Sequence, residues 1–173
     1  MIDILRKRRS IRQYKDAKIE ETKVQILKEA ALRAPSSRGR NPWRFLFVDN
    51  SELIEKLASS KKHGSNFLAA APLAVVVCGD KDASDVWIED CSIASIILQL
   101  TAQSLDLGSC WIQIRNRMHD QTTSSGDYIK NILNIPDKFR IESIIGIGYP
   151  DEKKEGIPNE ELQSEKVFDN YFE

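Results

Sequence analysis

This sequence is short of the residues that most enzymes use for chemistry. It has two histidines, His63 and His119, far apart in the chain and neither set beside a cysteine or a carboxylate pattern. A zinc site or a Ser-His-Asp triad would have to be assembled from almost nothing. The three cysteines, Cys78, Cys91 and Cys110, are odd in number, widely spaced and surrounded by apolar neighbours. No pair has metal-ligand spacing, so buried, reduced thiols are the expectation. There is no Walker loop and no G-x-G-x-x-G, which removes the common nucleoside-triphosphate and dinucleotide frameworks. The longest apolar run, Phe67–Cys78, is interrupted by Pro72 and is too short to span a membrane as a helix. The opening Met1-Ile2-Asp3 turns charged at once and lacks the apolar core of a signal peptide, so a cytoplasmic location is expected. A net charge of -1 argues against a general nucleic-acid binder, which is usually strongly basic.

What is present is enough for one domain with a real core: 173 residues, 41% hydrophobic and 29% charged. Residues 2–7 read as a short helix with Ile2, Leu5 and Ile4 turned inward. Residues 10–15 read as extended or a turn. Residues 20–33 form a helical stripe of Val24, Leu27, Ala30, Ala31 and Ala34, stopped by Pro35. Trp43, Phe45 and Phe47 alternate along a strand at 43–48. Asp49 or Ser51 can cap a helix reaching about Ser60, and a helical turn follows at 66–71. The valine-rich run 73–78 suits a central strand buried on both faces.

Residues 85–105 give the longest helix. Trp87, Cys91, Ala94, Leu98, Ala102 and Leu105 make one apolar stripe, and Ile93, Ile96, Ile97 and Leu100 make a second. A helix apolar on two faces must bury both, which points to a partner subunit. Gly108 sits near its C-terminal cap, and strands follow at 109–114 and 139–147 around a helix begun by Ser124 or Ser125. The fold class is therefore α+β, with a mixed central sheet covered by helices. The domain spans residues 1–150. The tail, 151–173, is acidic, with Val167, Phe168, Tyr171 and Phe172 as apolar anchors that pack on the domain or on a partner.

Three polar segments stand out. Arg8-Arg9-Ser10-Ile11-Arg12 concentrates guanidiniums and a hydroxyl, a donor set suited to a multi-oxygen anion such as phosphate. Taken alone, a solvated basic face explains it as well. Ala34-Pro35-Ser36-Ser37-Arg38-Gly39-Arg40-Asn41-Pro42-Trp43 is a donor-rich loop between a helix and a strand, a usual place for ligand contacts. Leu107-Gly108-Ser109-Cys110-Trp111-Ile112-Gln113 follows the long helix.

In this order and spacing, over about residues 2–150, the three segments resemble the nitroreductase family of FMN-dependent oxidoreductases. The resemblance implies that Arg8, Arg9, Ser10 and Arg12 hold the FMN phosphate and ribityl chain. It places Pro35, Ser36 and Ser37 against the isoalloxazine ring, with Asn41 near it. It assigns backbone N–H groups of Ile112 and Gln113 to the flavin N5 and O4 edge, with Trp111 packed nearby. The chain departs from the family pattern at Arg38-Gly39-Arg40, where many members carry an Asn, and at Ile112-Gln113, where many have an acidic residue before glycine. After Gly148-Tyr149-Pro150 it offers Lys153 and Lys154 in place of an arginine. The resemblance further implies a homodimer that passes hydride from NAD(P)H to a nitroaromatic, quinone or related oxidant by a ping-pong route, with no catalytic side chain and no metal. An FMN carrier or redox sensor without turnover would use the same binding residues, and a small nucleic-acid-binding domain would use residues 6–15.

Overall fold

The computed structural model describes residues 1–172; Glu173 lies outside the described part of the tail. Nine regular elements follow one another: α1 (Ile2–Lys7), α2 (Glu21–Leu32), β1 (Trp43–Val48), α3 (Ser51–Ala58), β2 (Leu73–Asp80), α4 (Trp87–Ser104), β3 (Gly108–Gln113), α5 (Ser125–Leu133) and β4 (Phe139–Gly148). The strands form one sheet in the order β1-β2-β4-β3. The α+β class expected from the pattern holds. All three ladders are antiparallel, and the parallel component among the described residues is a single bridge, Ser10 to Ser109.

Alternation along the central strands divides the core into two layers. On one face Ala74, Val76, Cys78, Ile112 and Ile144 pack under α3, α5 and the 3-10 turn Asn66–Ala70. On the other, Val75, Val77, Ile145 and Ile147 pack under α2 and α4 through Leu27, Ala31, Cys91, Ala94, Leu98 and Ala102. Strand β2 is buried along nearly its whole length, as its unbroken apolar run requires. The three thiols are free and buried.

Several local expectations shift by a residue. The cap of α3 is Asn50, whose side chain accepts from Leu53 N at 3.0 Å; Asp49 and Ser51 flank it. Ser124 caps α5 by accepting from Asp127 N at 3.0 Å. After α4 the left-handed position is taken by Asp106, at φ 60°. Gly108 opens β3 for a different reason: a Cβ there would lie 2.8 Å from Ile11 Cβ, so the glycine admits the N-terminal segment against the strand. Glu142 is an extra residue in β4, between the pairs Cys78–Ile141 and Val77–Ser143. Its carbonyl accepts from both Ile114 N and Arg115 N, and its carboxyl is buried with Oε2 unpartnered.

Apolar surface stays uncovered in the single chain in several places. Ile93 and Ile96 of α4 are 41% and 38% exposed, on the face opposite the core stripe. Helix α1 rests against α4, but Ile2 and Leu5 are exposed, contrary to the inward placement expected for them. Six residues are too few to bury a stripe against a neighbour that is itself at the surface. The tail anchors Val167, Phe168, Tyr171 and Phe172 are exposed as well. No helix among the described residues is long and apolar enough to cross a membrane.

Candidate active site

Beyond α1 the backbone becomes extended at Arg8, with φ -64° and ψ 129°. Ser10 bridges Ser109, Ile11 N donates to Ser109 O at 3.0 Å, and Lys15 N donates to Tyr149 O at 2.9 Å. Ile11 is buried and Tyr14 Oη donates to its carbonyl at 2.7 Å, which fixes the segment between β3 and the end of β4. Side chains alternate in such a segment. Arg8, Ser10 and Arg12 consequently share one side, through strand geometry and not through a helix.

The thiol of Cys110 reports this grouping. Burial pushes its pKa up, and Arg12, the Ser10 hydroxyl, Lys154 and Arg8 all oppose that rise. Arg9 is absent from the group. Its guanidinium donates to the carbonyl of Glu155 and ties the tail to the N-terminal segment.

The first turn of the tail completes the cluster. Lys154 Nζ donates to Ser10 O at 2.8 Å and pairs with Glu152 at 3.0 Å. The Glu152 carboxylate in turn accepts from Arg12 N at 2.5 Å and Gln13 N at 3.2 Å. Lys153 points away and pairs with Glu155 on the exposed side. Of the two lysines after Pro150, Lys154 is therefore the one at the basic cluster.

Strand β3 is an edge strand, and its outer edge is the central feature of the site. On an antiparallel edge, alternate residues turn N–H and C=O outward. Ser109 O accepts from Ile11 N, and Gln113 O accepts from Lys61 Nζ at 3.2 Å. Ser109, Trp111 and Gln113 are thus the outward residues. Ile114 N, with the opposite parity, donates inward to Glu142 O. Ile112 shares that parity and is buried against Ile144, so the N–H groups that face outward on this edge are those of Trp111 and Gln113. Trp111 Nε1 donates to Gln113 Oε1 at 3.1 Å, and Gln113 Nε2 donates to Arg115 O at 3.0 Å, which stiffens this end of the strand.

Lys61 is the cation that the sequence did not single out. It comes from the link between α3 and the Asn66–Ala70 turn, and burial lowers its pKa, with Arg117 adding to the effect. One open strand edge therefore runs from Arg8, Arg12 and Lys154 at one end to Lys61 and Arg117 at the other. Arg12 also lies over the Phe67 ring at 5.8 Å.

The Pro35–Asn41 loop does not reach this edge within one chain. It leads into Trp43, which pairs with Gly79 and so lies in the row of Arg140 on β4, whereas Ser109 lies in the row of Ile147. Ser109 is the diagonal corner of the sheet, about 14 Å away across the strands and about 23 Å along them at ~4.8 Å and ~3.3 Å per step, while Gln113, in the row of Ser143, is about 14 Å across and about 10 Å along. The loop is held in shape locally. Asn41 N donates to Ser36 Oγ at 2.9 Å, Ser37 N donates to Asp90 Oδ1 at 2.8 Å, and Arg40 pairs with Asp85 at 3.2 Å. Arg38, Gly39 and Asn41 take left-handed backbone, which turns the loop out from the N-terminal end of α4.

The profile of the nitroreductase family matches residues 5–64 and 58–149. The chain belongs to the nitroreductase family. Among solved structures, the FMN-dependent nitroreductase of Clostridium difficile R20291 is 48% identical, with a TM-score of 0.98, over 99% of this chain and 100% of that one. A candidate NADH dehydrogenase/NAD(P)H nitroreductase of Archaeoglobus fulgidus is 32% identical over 86% of this chain and 84% of its own. A relative of the same description from Methanothermobacter thermautotrophicus is 33% identical over 88% of this chain and 78% of its own. As a nitroreductase, the chain is an oxidoreductase of the NAD(P)H-dependent nitroreductase type.

Proposed function

We propose that this nitroreductase binds FMN along the outer edge of β3 and passes reducing equivalents from NAD(P)H to a nitroaromatic, a quinone or a related small oxidant. FMN is the cofactor, and the donor set suits it. Arg8, Arg12, Lys154 and the Ser10 hydroxyl offer cationic and neutral donors for a phosphate. The outward N–H groups of Trp111 and Gln113 would meet the acceptor atoms of a planar ring. Lys61, with Arg117 behind it, would favour negative charge on that ring. The observation that carries this reading is the open β3 edge bounded by cations at both ends.

Bound FMN supplies the two-electron chemistry, so that NAD(P)H, a proton and a quinone become NAD(P)+ and a hydroquinone. The chain itself supplies position and charge. Donor and acceptor use the same exposed ring face in turn, which gives ping-pong kinetics.

The functional unit in this reading is a homodimer. The Pro35–Asn41 loop is pre-shaped but lies far from its own β3 edge, so the loop of a second copy would cover the ring. The uncovered Ile93 and Ile96, the apolar face of α1 and the exposed tail anchors supply the surface for such pairing. β1 is the free edge at the other side of the sheet, beside an apolar groove of Trp43, Phe45 and Phe47, and it can receive the tail of the second copy.

The purified protein should show flavin absorption bands that are released on denaturation, and it should oxidise NADH or NADPH when a quinone is added. Absence of flavin bands after incubation with FMN would end the cofactor assignment. Bound FMN with no turnover above that of free FMN would leave a carrier or sensor in its place.

A further inference from the structure

A cleft of about 680 Å³ opens beyond the end of β3. Its wall is built by five separate pieces of chain: Lys81 after β2, Trp87 at the start of α4, Arg115 and Arg117 after β3, Lys130 from α5 and Arg140 from β4. Asp127 is the one carboxylate in the lining, and Lys130 already pairs with it at 2.8 Å and with Asp137 at 3.1 Å. Lys81 pairs with Asp82 at 3.0 Å.

The three guanidiniums are different. None of Arg115, Arg117 and Arg140 has a carboxylate oxygen within 4.0 Å among the described residues. Arg117 donates to Asn116 O at 3.0 Å, and Arg140 to the carbonyls of Asp137 and Phe139. Those bonds orient the side chains, and Arg140 also stands near enough to Asp127 to help lower the pKa of its carboxyl, without a contact within 4.0 Å. Glu142 faces Arg115 from the buried side, with Glu89 farther off, and burial raises the pKa of the Glu142 carboxyl. Trp87 supplies an aromatic wall. Its ring rests on the backbone at Gly79, where an added Cβ would lie 2.7 Å from Cε3, so the indole cannot sink further into the sheet.

The cleft adjoins the redox edge. Ile114 and Arg115 continue directly from Gln113, and Arg117 stands near enough to Lys61 to depress its pKa. An occupant of the cleft would therefore lie beside the ring end of the β3 edge and away from the Arg8–Arg12 cluster.

We propose that this cleft selects the electron acceptor by its charge: it takes an aromatic carboxylate, with the ring against Trp87 and the carboxylate on Arg115 and Arg140. Guanidinium N–H groups that hold no carboxylate of the chain match one on a ligand, and the indole matches an aromatic ring. The proposal rests on the oxidoreductase reading above and adds the acceptor class to it.

The test compares 4-nitrobenzoate with nitrobenzene, a neutral molecule of nearly the same shape, on the FMN-loaded protein at low ionic strength. Wild type should favour 4-nitrobenzoate at least tenfold in kcat/KM. Arg115→Gln, in the turn after β3, and Arg140→Gln, in β4, should each cut that preference at least fivefold. No preference in wild type, or a preference that survives both substitutions, would overturn the proposal. A second arm is independent of turnover. 4-Nitrobenzoate should quench the fluorescence of wild type, and Trp87→Phe should remove most of that quenching. In calorimetry Arg115→Gln with Arg140→Gln should weaken its Kd at least tenfold, and equal affinity would count against the cleft. If the protein fails to reduce a quinone yet still binds 4-nitrobenzoate through these residues, the oxidoreductase reading fails and the site stands.

Discussion

Lys154 Nζ reaches back across the fold to the carbonyl of Ser10, at 2.8 Å, and so brings a cation from the tail into the cluster of Arg8 and Arg12. Lys153, its neighbour, turns to Glu155 and solvent. The two lysines should separate cleanly on substitution. Lys154→Ala should weaken FMN affinity at least tenfold, which corresponds to about 1.4 kcal/mol at 25 °C. Lys153→Ala should leave it within twofold. Fluorescence titration of the apoprotein with FMN measures both, and equal effects would remove Lys154 from the phosphate end.

The Glu152 carboxylate holds the tail to the N-terminal segment and carries a pH signature. Its pKa is lowered first by the Arg12 N–H, and further by Lys154 and the Gln13 N–H. A carboxyl with a depressed folded pKa adds stability that is present above its unfolded value, about 4.3, and is lost as pH falls through the folded value. The melting temperature of wild type should exceed that of Glu152→Gln at pH 7, and the gap should close as pH approaches 3. A gap that stays constant from pH 7 to pH 3 would mean that the charge of Glu152 contributes nothing here.

Gly108 tests whether packing at the start of β3 sets the position of the arginines. An added Cβ would meet Ile11 Cβ and Cγ2 at 2.8 Å and Cγ1 at 2.9 Å. Ile11 is buried and lies between Ser10 and Arg12, so it can give way only by moving both. Gly108→Ala should cost about 1–3 kcal/mol of stability, the usual range for overpacking. It should also weaken FMN binding more than a core truncation at least as destabilising on the other face of the sheet, such as Leu27→Ala in α2. Thermal melts and FMN titrations on the two variants make the comparison.

Much of this architecture could be read from the residues, and the failures have physical causes. Strand β1 was legible to the residue because alternating aromatics follow a polar loop and end at Asp49-Asn50-Ser51. That same trio hid the cap of α3, since three adjacent side chains can each serve and only the final turn geometry selects Asn50. The valine run of β2 announced burial but not direction, so the antiparallel ladders were invisible in it. The grouping of Arg8, Ser10 and Arg12 was readable, while the diversion of Arg9 to the tail was not. That Trp111 and not Ile112 faces outward was hidden because outward and inward parity depends on the pairing with β4, a long-range fact. Lys61 and Lys154 sit in ordinary polar stretches, and only folding brings them to the same edge.

The uncovered isoleucines of α4 give the test of assembly. Ile93 and Ile96 are 41% and 38% exposed, and full burial of one such side chain is worth roughly 1.5–3 kcal/mol. Charges placed there would have to be desolvated on pairing. Ile93→Glu with Ile96→Glu should convert the dimer proposed for the wild type to a monomer in analytical ultracentrifugation, with the far-ultraviolet circular dichroism retained because neither residue belongs to the core. The monomer should also lose at least tenfold in FMN affinity, although Arg8, Arg12, Lys154 and Lys61 are untouched. That loss is the decisive observation, since it would mean that the Pro35–Asn41 loop of a second copy completes the site. A monomer that binds FMN as tightly as wild type would show that the β3 edge suffices alone, and the shared-site reading would have to be given up.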